Sequence, residues 1–228
     1  WAREYQIKGF RFDLMSLIDD ATLLKVTESV LALDPSIVLW GEPWSGGGYV
    51  GAPKVYDNAL GDTKFAAFND VGRNGLKGNN NLNDAYGNQY GWLQKEPAHN
   101  EGTYEPLNKV KGMLSGKIGN YYDGSTIKYN HPIKTVNYAG CHDNFSIYNH
   151  MLATNTHNEQ LAKQMSVIAN GLVFTSLGIP FFQGGDEIMR SKVFDPTTTA
   201  GANFLTMHAG ETWIYDPSPA TGDEIYYS

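Results

Sequence analysis

The 228-residue chain contains a single cysteine, Cys141, so no disulfide can form within it. Cysteine usage therefore leaves an extracellular and a cytoplasmic setting equally open. Runs of Lys or Arg are also missing: 17 basic residues are scattered singly against 24 acidic ones, for a formal net charge of −7. With no basic patch to displace counterions, nucleic acid is not an expected partner. No apolar run approaches the ~20 residues of a membrane span, so no membrane partner is expected either. The opening Trp1-Ala2-Arg3-Glu4-Tyr5 has neither a basic nor an apolar leader segment. What the chain does hold is 41% hydrophobic residues, with 14 Tyr and 5 Trp, enough to bury one sizeable core.

Five short segments read as buried strands: 7–14, 36–42, 64–70, 134–141 and 178–184. All but the first are largely apolar without strict alternation, the pattern of strands covered on both faces. Between them, 20–33 reads as a helix with Leu23, Leu24, Val30 and Leu31 on one stripe, Asp20 as N-cap and Asp34-Pro35 closing it. A second helix over 157–176 puts Leu161, Met165, Ile168 and Leu172 on one stripe, with Thr156 and Glu159 as a capping box and Gly178 just past its end. Strand–helix–strand alternation predicts a parallel sheet. From Asp13 to Glu42 is 29 positions and from Glu42 to Asp70 is 28, close to the ~31-residue repeat of a (β/α)₈ barrel. The longer gap to Asp143 holds a Gly-, Asn- and Tyr-rich stretch, 74–130, read as an insertion with a short helix near 105–116.

The fold class expected is therefore α/β, an incomplete (β/α)₈ TIM barrel. Five strands leave about three strand–helix units, roughly 90 residues, unaccounted for. The chain also opens in what reads as the last turns of a helix, so a fragment cut at residue 1 is expected. Residues 1–192 would be the C-terminal part of the barrel, and 193–228 a divergent tail, a linker or the start of another domain.

Four of the five segments run into a polar or acidic residue: Asp13, Glu42, Asp70 and His142-Asp143; the fifth ends at Asp186-Glu187. Active sites of such barrels lie at the C-terminal ends of the strands, so Asp13, Glu42 and Asp143 are candidates for one site. Like charges at short range push one carboxyl pKa upward and leave a proton donor beside an ionised nucleophile. Glycoside hydrolysis uses that pair. Three acids pairing with Lys8, Arg11 and Arg73 or capping helices would have the same spacing, and spacing alone does not separate the two.

Motifs do. Gly9-Phe10-Arg11-Phe12-Asp13-Leu14-Met15 resembles the nucleophile strand of the α-amylase superfamily, and most of all type I pullulanases and related debranching enzymes. Trp40-Gly41-Glu42-Pro43-Trp44 is similar to that superfamily's acid/base motif, and 137–144 (Asn137 to Asn144, with His142-Asp143) to its third-carboxylate motif. Phe68-Asn69-Asp70 with Arg73, and the segment from Gly178 to Glu187, look like two further pullulanase-type strands. The match runs from residue 1 to about residue 192 and would make the five segments approximately strands 4 to 8. It implies a retaining glycoside hydrolase acting on an α-glucan, with α-1,6 branches in pullulan, glycogen or limit dextrins as the favoured bonds. Asp13 would be the nucleophile, Glu42 the general acid and then base, and Asp143 the stabiliser of the distorted sugar. Arg11 would keep Asp13 ionised and oriented, His142 would bond a sugar hydroxyl, and Asn144, Trp44 and Tyr49 would line the substrate site, the two rings suited to stacking on glucose. An Asp13–Glu42 carboxyl separation of ~5–5.5 Å follows from the retaining geometry.

The same acids would serve an α-1,4 amylase or a branching transglycosylase, and a barrel without its other strands would be an inactive carbohydrate-binding remnant. Beyond Ser191-Lys192 the likeness stops. No cofactor is required by the chemistry. Six His and one Cys show no zinc-ligand spacing, whereas the oxygen-rich loop 74–90 has the donor types for Ca²⁺. Gly46-Gly47-Gly48 lacks the ending of a phosphate-binding loop. Met113, Met151 and Met165 read as core.

Overall fold

The apolar segments pair side by side in a computed structural model that describes residues 1–43, 65–80, 90–94, 105–118, 131–155 and 158–191. The strands are β1 (Gly9–Phe12), β2 (Val38–Gly41), β3 (Phe65–Phe68), β4 (Thr135–Asn137) and β5 (Ile179–Pro180); the helices are α1 (Asp20–Leu33), α2 (Asp70–Lys77), α3 (Glu105–Leu114), α4 (Ile147–Thr154) and α5 (Glu159–Thr175). Each strand is shorter than its sequence segment. Their order in the sheet is β1-β2-β3-β4-β5, with every neighbouring pair parallel. A doubly wound sheet reverses its strand order at a switch point, whereas a (β/α) barrel does not. The fold is α/β, with five parallel strands of a partial barrel.

The chain divides into two compact units. The first comprises 1–72, 111–137 and 176–180; the second comprises 73–110, 138–175 and the described residues from 181. All five strands belong to the first. Its core is Met15, Leu23, Ile37, Leu39, Phe65, Ala67 and Ile118, with Phe10 and Phe12 packed against it. Phe12 meets Phe65 edge-on at 5.1 Å between ring centroids. Burying Leu39 or Phe65 contributes ~1.5–3 kcal/mol each. Because side chains alternate along a strand, Phe10 and Phe12 fill the core while Arg11 between them is free to reach the acids.

Helix α1 spans the residues expected of it, but its N-cap is Asp19, whose Oδ1 accepts from the Thr22 amide at 3.0 Å. Asp20, the expected cap, is the first helical residue. Asp34 closes the helix, its carboxylate accepting from the Ser36 amide and hydroxyl and from Lys8. Those donors, Lys8 first, hold the Asp34 carboxyl below its usual range.

Polar residues tie the far end of the sheet. Asn69 Nδ2 donates to Asn137 Oδ1 at 2.9 Å, and Asn137 Nδ2 donates to Ser176 Oγ and the Leu177 carbonyl, both at 2.9 Å. Asn137 is fully buried. Gly178 follows with φ +126°, and a Cβ there would lie 2.8 Å from the Thr135 carbonyl, so the chain enters β5 only without a side chain at this point. Asn137→Ala strips partners from β3 and the β5 approach together. It is expected to cost about 3 kcal/mol in chemical denaturation, the scale of a buried hydrogen-bond network losing its centre.

In the second unit α4 packs against α5. Ser146 caps α4 by accepting from the Asn149 amide at 3.1 Å. Asn158 caps α5 by accepting from the Leu161 amide at 3.0 Å; Thr156, expected in that role, lies outside the described residues. The buried stripe of α5 is Ala162, Ser166, Ala169 and Val173, one position round from the expected Leu161, Met165, Ile168 and Leu172. Ile168 is 48% exposed. Small side chains let the helices approach closely and place the larger ones at the margin. Met113 and Met151 are buried as expected, and Met165 is half-buried. Among the described residues no helix is long and apolar enough to cross a membrane.

Candidate active site

Strands β1 and β2 pair with Phe12 beside Gly41, so the next residues, Asp13 and Glu42, leave the same edge of the sheet side by side. Glu42 extends the pairing by one bond, its amide donating to the Phe12 carbonyl at 3.0 Å. Gly41 permits this closeness: a Cβ there would sit 2.8 Å from both the Phe12 carbonyl and Met15 Sδ.

One guanidinium holds both acids. Arg11 Nη1 lies 3.1 Å from Asp13 Oδ1, and Arg11 Nη2 donates to Glu42 Oε1. Glu42 Oε2 accepts from the Leu14 amide at 2.8 Å. That amide points inward because Leu14 has a left-handed backbone, φ 40° and ψ 50°, which costs a bulky residue about 1–3 kcal/mol. The two acids differ in surroundings: the Asp13 side chain is 69% exposed and that of Glu42 is 5% exposed.

Burial is the main force raising the Glu42 pKa; the Leu14 amide and the Arg11 charge oppose it, and the Asp13 charge together with an Asp13–Glu42 hydrogen bond adds to it. The balance is upward. The arrangement pairs an exposed carboxyl group, Asp13, with a buried one, Glu42, that retains its proton to higher pH.

The remaining expected residues are in the second unit or outside the described residues. Asp143 and His142 lie beyond β4 in the second unit, His142 Nε2 3.3 Å from Asp143 Oδ1. Asn144 adopts φ 60°, a conformation Asn tolerates better than most residues. Tyr138, in the same motif, is buried; its hydroxyl accepts from Arg73 Nη1, and the Arg73 guanidinium also stands 5.2 Å from the ring centroid. Trp44, Tyr49 and Gly46-Gly47-Gly48 lie outside the described residues, as do 81–89 of the loop considered for Ca²⁺ and everything after Ser191.

Two features of the site were not expected from the sequence. Arg11 was assigned to Asp13 alone, yet it also binds Glu42, and only the pairing of β1 with β2 brings that about. The Leu14 amide is a main-chain group and leaves no trace in residue type.

No protein-family model matches the chain. The pullulanase of Bacillus subtilis strain 168 is 26% identical over 199 residues, which is 84% of this chain and 25% of that protein. Among solved structures, the pullulanase of Bacillus acidopullulyticus matches at 32% identity and TM-score 0.66, over 84% of this chain and 22% of the other. The Paenibacillus barengoltzii pullulanase, solved in complex with maltohexaose and α-cyclodextrin, matches at 31% identity and TM-score 0.71, over 84% of this chain and 28% of the other. The chain spans between 14% and 25% of the length of the curated relatives it matches. The similarity is that of a partial pullulanase-type domain.

Proposed function

We propose that the chain carries the reacting carboxylates of a retaining hydrolase of α-glucans, with α-1,6 branch points as the bonds cleaved. The observation that carries the proposal is the joint hold of Arg11 on an exposed Asp13 and a buried, proton-retaining Glu42. Likeness to a pullulanase solved with maltohexaose and α-cyclodextrin supports the substrate class.

In this mechanism Asp13 attacks the anomeric carbon while Glu42 gives its proton to the departing glycosidic oxygen, leaving a glycosyl ester on Asp13. Glu42, now ionised, takes a proton from water, and the hydroxide so formed displaces Asp13 and regenerates both groups. Arg11 serves both half-reactions: it orients the Asp13 carboxylate before attack and stabilises Glu42 once the proton has left. Asp143, His142 and Asn144 are assigned by their motif to hydroxyls of the α-glucan substrate. The five strands correspond to strands 4 to 8 of the barrel, with 74–130 as an insertion. Contacts made by segments outside this chain's match to its relatives belong to the whole protein.

Hydrolysis of pullulan in preference to amylose, read as new reducing ends, is the expected result. Because Glu42 must be protonated to act, the rate is expected to fall as pH rises through its elevated pKa. That basic limb should lie above the ordinary carboxylate range and be absent when Glu42→Gln forms the ester from an α-glucosyl fluoride, which needs no proton donor. Amylose cleaved with pullulan untouched would move the specificity to α-1,4 bonds. A rate independent of pH across the elevated range would remove Glu42 from the acid role.

A further inference from the structure

The consecutive residues Cys141, His142 and Asp143 each bring a different donor to one place: their thiol, imidazole and carboxylate ligand atoms all lie within 4.8 Å of one another. We propose that they form a binding site for a thiophilic divalent cation of the zinc type, and that its occupancy silences the site to which Asp143 contributes. The second half rests on the function proposed above; the first does not.

The donor set selects the ion. Thiolate with imidazole and a single carboxylate suits zinc or cobalt, whereas calcium and magnesium demand more oxygens than one carboxylate supplies. The geometry is close to what tetrahedral zinc requires. Bonds of ~2.0–2.3 Å at tetrahedral angles put neighbouring donors ~3.3–3.6 Å apart, and His142 Nε2 to Asp143 Oδ1 is already 3.3 Å. Only Cys141 Sγ has to close in, from its weak bond to the Asp143 main-chain carbonyl at 3.7 Å. Binding releases the thiol proton to solvent and leaves a thiolate on the metal. The Cys141 main chain is held meanwhile: the Gln183 side-chain amide, turned to the orientation its neighbours require, donates to the Cys141 carbonyl at 2.6 Å and accepts from Arg190. His142 is 61% exposed and Asp143 34% exposed, so a hydrated ion has a way in and water can complete the coordination. Separated-ligand spacing motifs miss this cluster because its three ligands have no residues between them.

The consequence for catalysis is direct. A carboxylate oxygen bound to a dication is a poor acceptor for sugar hydroxyls, and His142 loses the nitrogen it would offer to substrate.

Cobalt(II) reports the site without any catalytic assay. Titrating the full chain with Co²⁺ is expected to raise a thiolate-to-cobalt charge-transfer band that saturates at one equivalent and is displaced by Zn²⁺. Cys141→Ser and Cys141→Ala, checked for folding by circular dichroism, should both lack the band, and His142→Gln should weaken Co²⁺ binding at least ~10-fold. No band, or a band unchanged in His142→Gln, overturns the site. On pullulan, Zn²⁺ should slow the unaltered chain at least ~10-fold while Cys141→Ser, active without metal, escapes. Equal inhibition of both overturns the silencing. A chain that binds cobalt through Cys141 yet cleaves no α-glucan overturns the function proposed above and leaves the metal site standing.

Discussion

Asp13→Asn is expected to lower turnover on pullulan by ~10⁴-fold or more while leaving the fold intact. The size follows from the proposed role: an amide cannot form the glycosyl ester, so the covalent route is lost and only binding and orientation remain. The intact fold follows from the position. Asp13 follows β1 with its side chain 69% exposed, and Arg11 makes an ionic contact with it at 3.1 Å. Losing one exposed ion pair changes stability by no more than ~1 kcal/mol. Arg11 keeps its second partner, Glu42. Initial rates beside a denaturation midpoint test both halves. Turnover within ~10-fold of the unaltered chain would remove Asp13 from the nucleophile role.

Glu42→Gln separates the acid role from mere presence at the site. Glutamine cannot protonate a leaving oxygen, so hydrolysis of pullulan should fall ~10²–10⁴-fold, the usual worth of general acid catalysis. A substrate whose leaving group departs without a proton, such as an α-glucosyl fluoride, should form the ester at nearly the original rate and then stall for want of a base. Equal losses on both substrates would argue that Glu42 only positions. The same variant has a stability signature. Native Glu42 has a raised pKa, chiefly from burial. The folded chain thus holds this proton to higher pH than the unfolded one. Its contribution to stability is complete below the unfolded pKa and is lost as pH rises through the folded value. In Glu42→Gln that decline should vanish. The absolute level need not rise, because Glu42 accepts from both Arg11 and the Leu14 amide, and an amide side chain has one acceptor oxygen for the two donors.

Much of this arrangement could be read from residue types, and the exceptions have physical causes. Strand–helix alternation, with the near-constant spacing from Asp13 to Glu42 to Asp70, announced the parallel order and the adjacency of Asp13 and Glu42. Helix α1 was recovered to the residue because an acidic cap and Asp34-Pro35 bracket a clear apolar period; Asp19 and Asp20 are equally good caps, and only geometry chose between them. Helix α2 was not expected, since Gly72 and Gly75 both depress helix propensity. Gly75 is there for packing: a Cβ would lie 2.3 Å from the Lys109 Cβ. The stripe of α5 was misplaced because Ala162, Ser166 and Ala169 look only weakly apolar, yet small residues make the closest helix contacts. Within the site, the placing of Asp13 beside Glu42 could be expected from the strand spacing, whereas the Leu14 amide and the bridging of two acids by Arg11 depend on backbone direction and strand register.

The central claim is that Asp13 forms a bond to the sugar. The most direct measurement is mass spectrometry of the chain after incubation with a fluorinated α-glucosyl fluoride whose glycosyl-enzyme hydrolyses slowly. A mass increase of one fluoroglycosyl group, located by peptide mapping to the Asp13 carboxylate, is the expected result. An adduct on a different carboxylate, or none while the compound is being consumed, would contradict it.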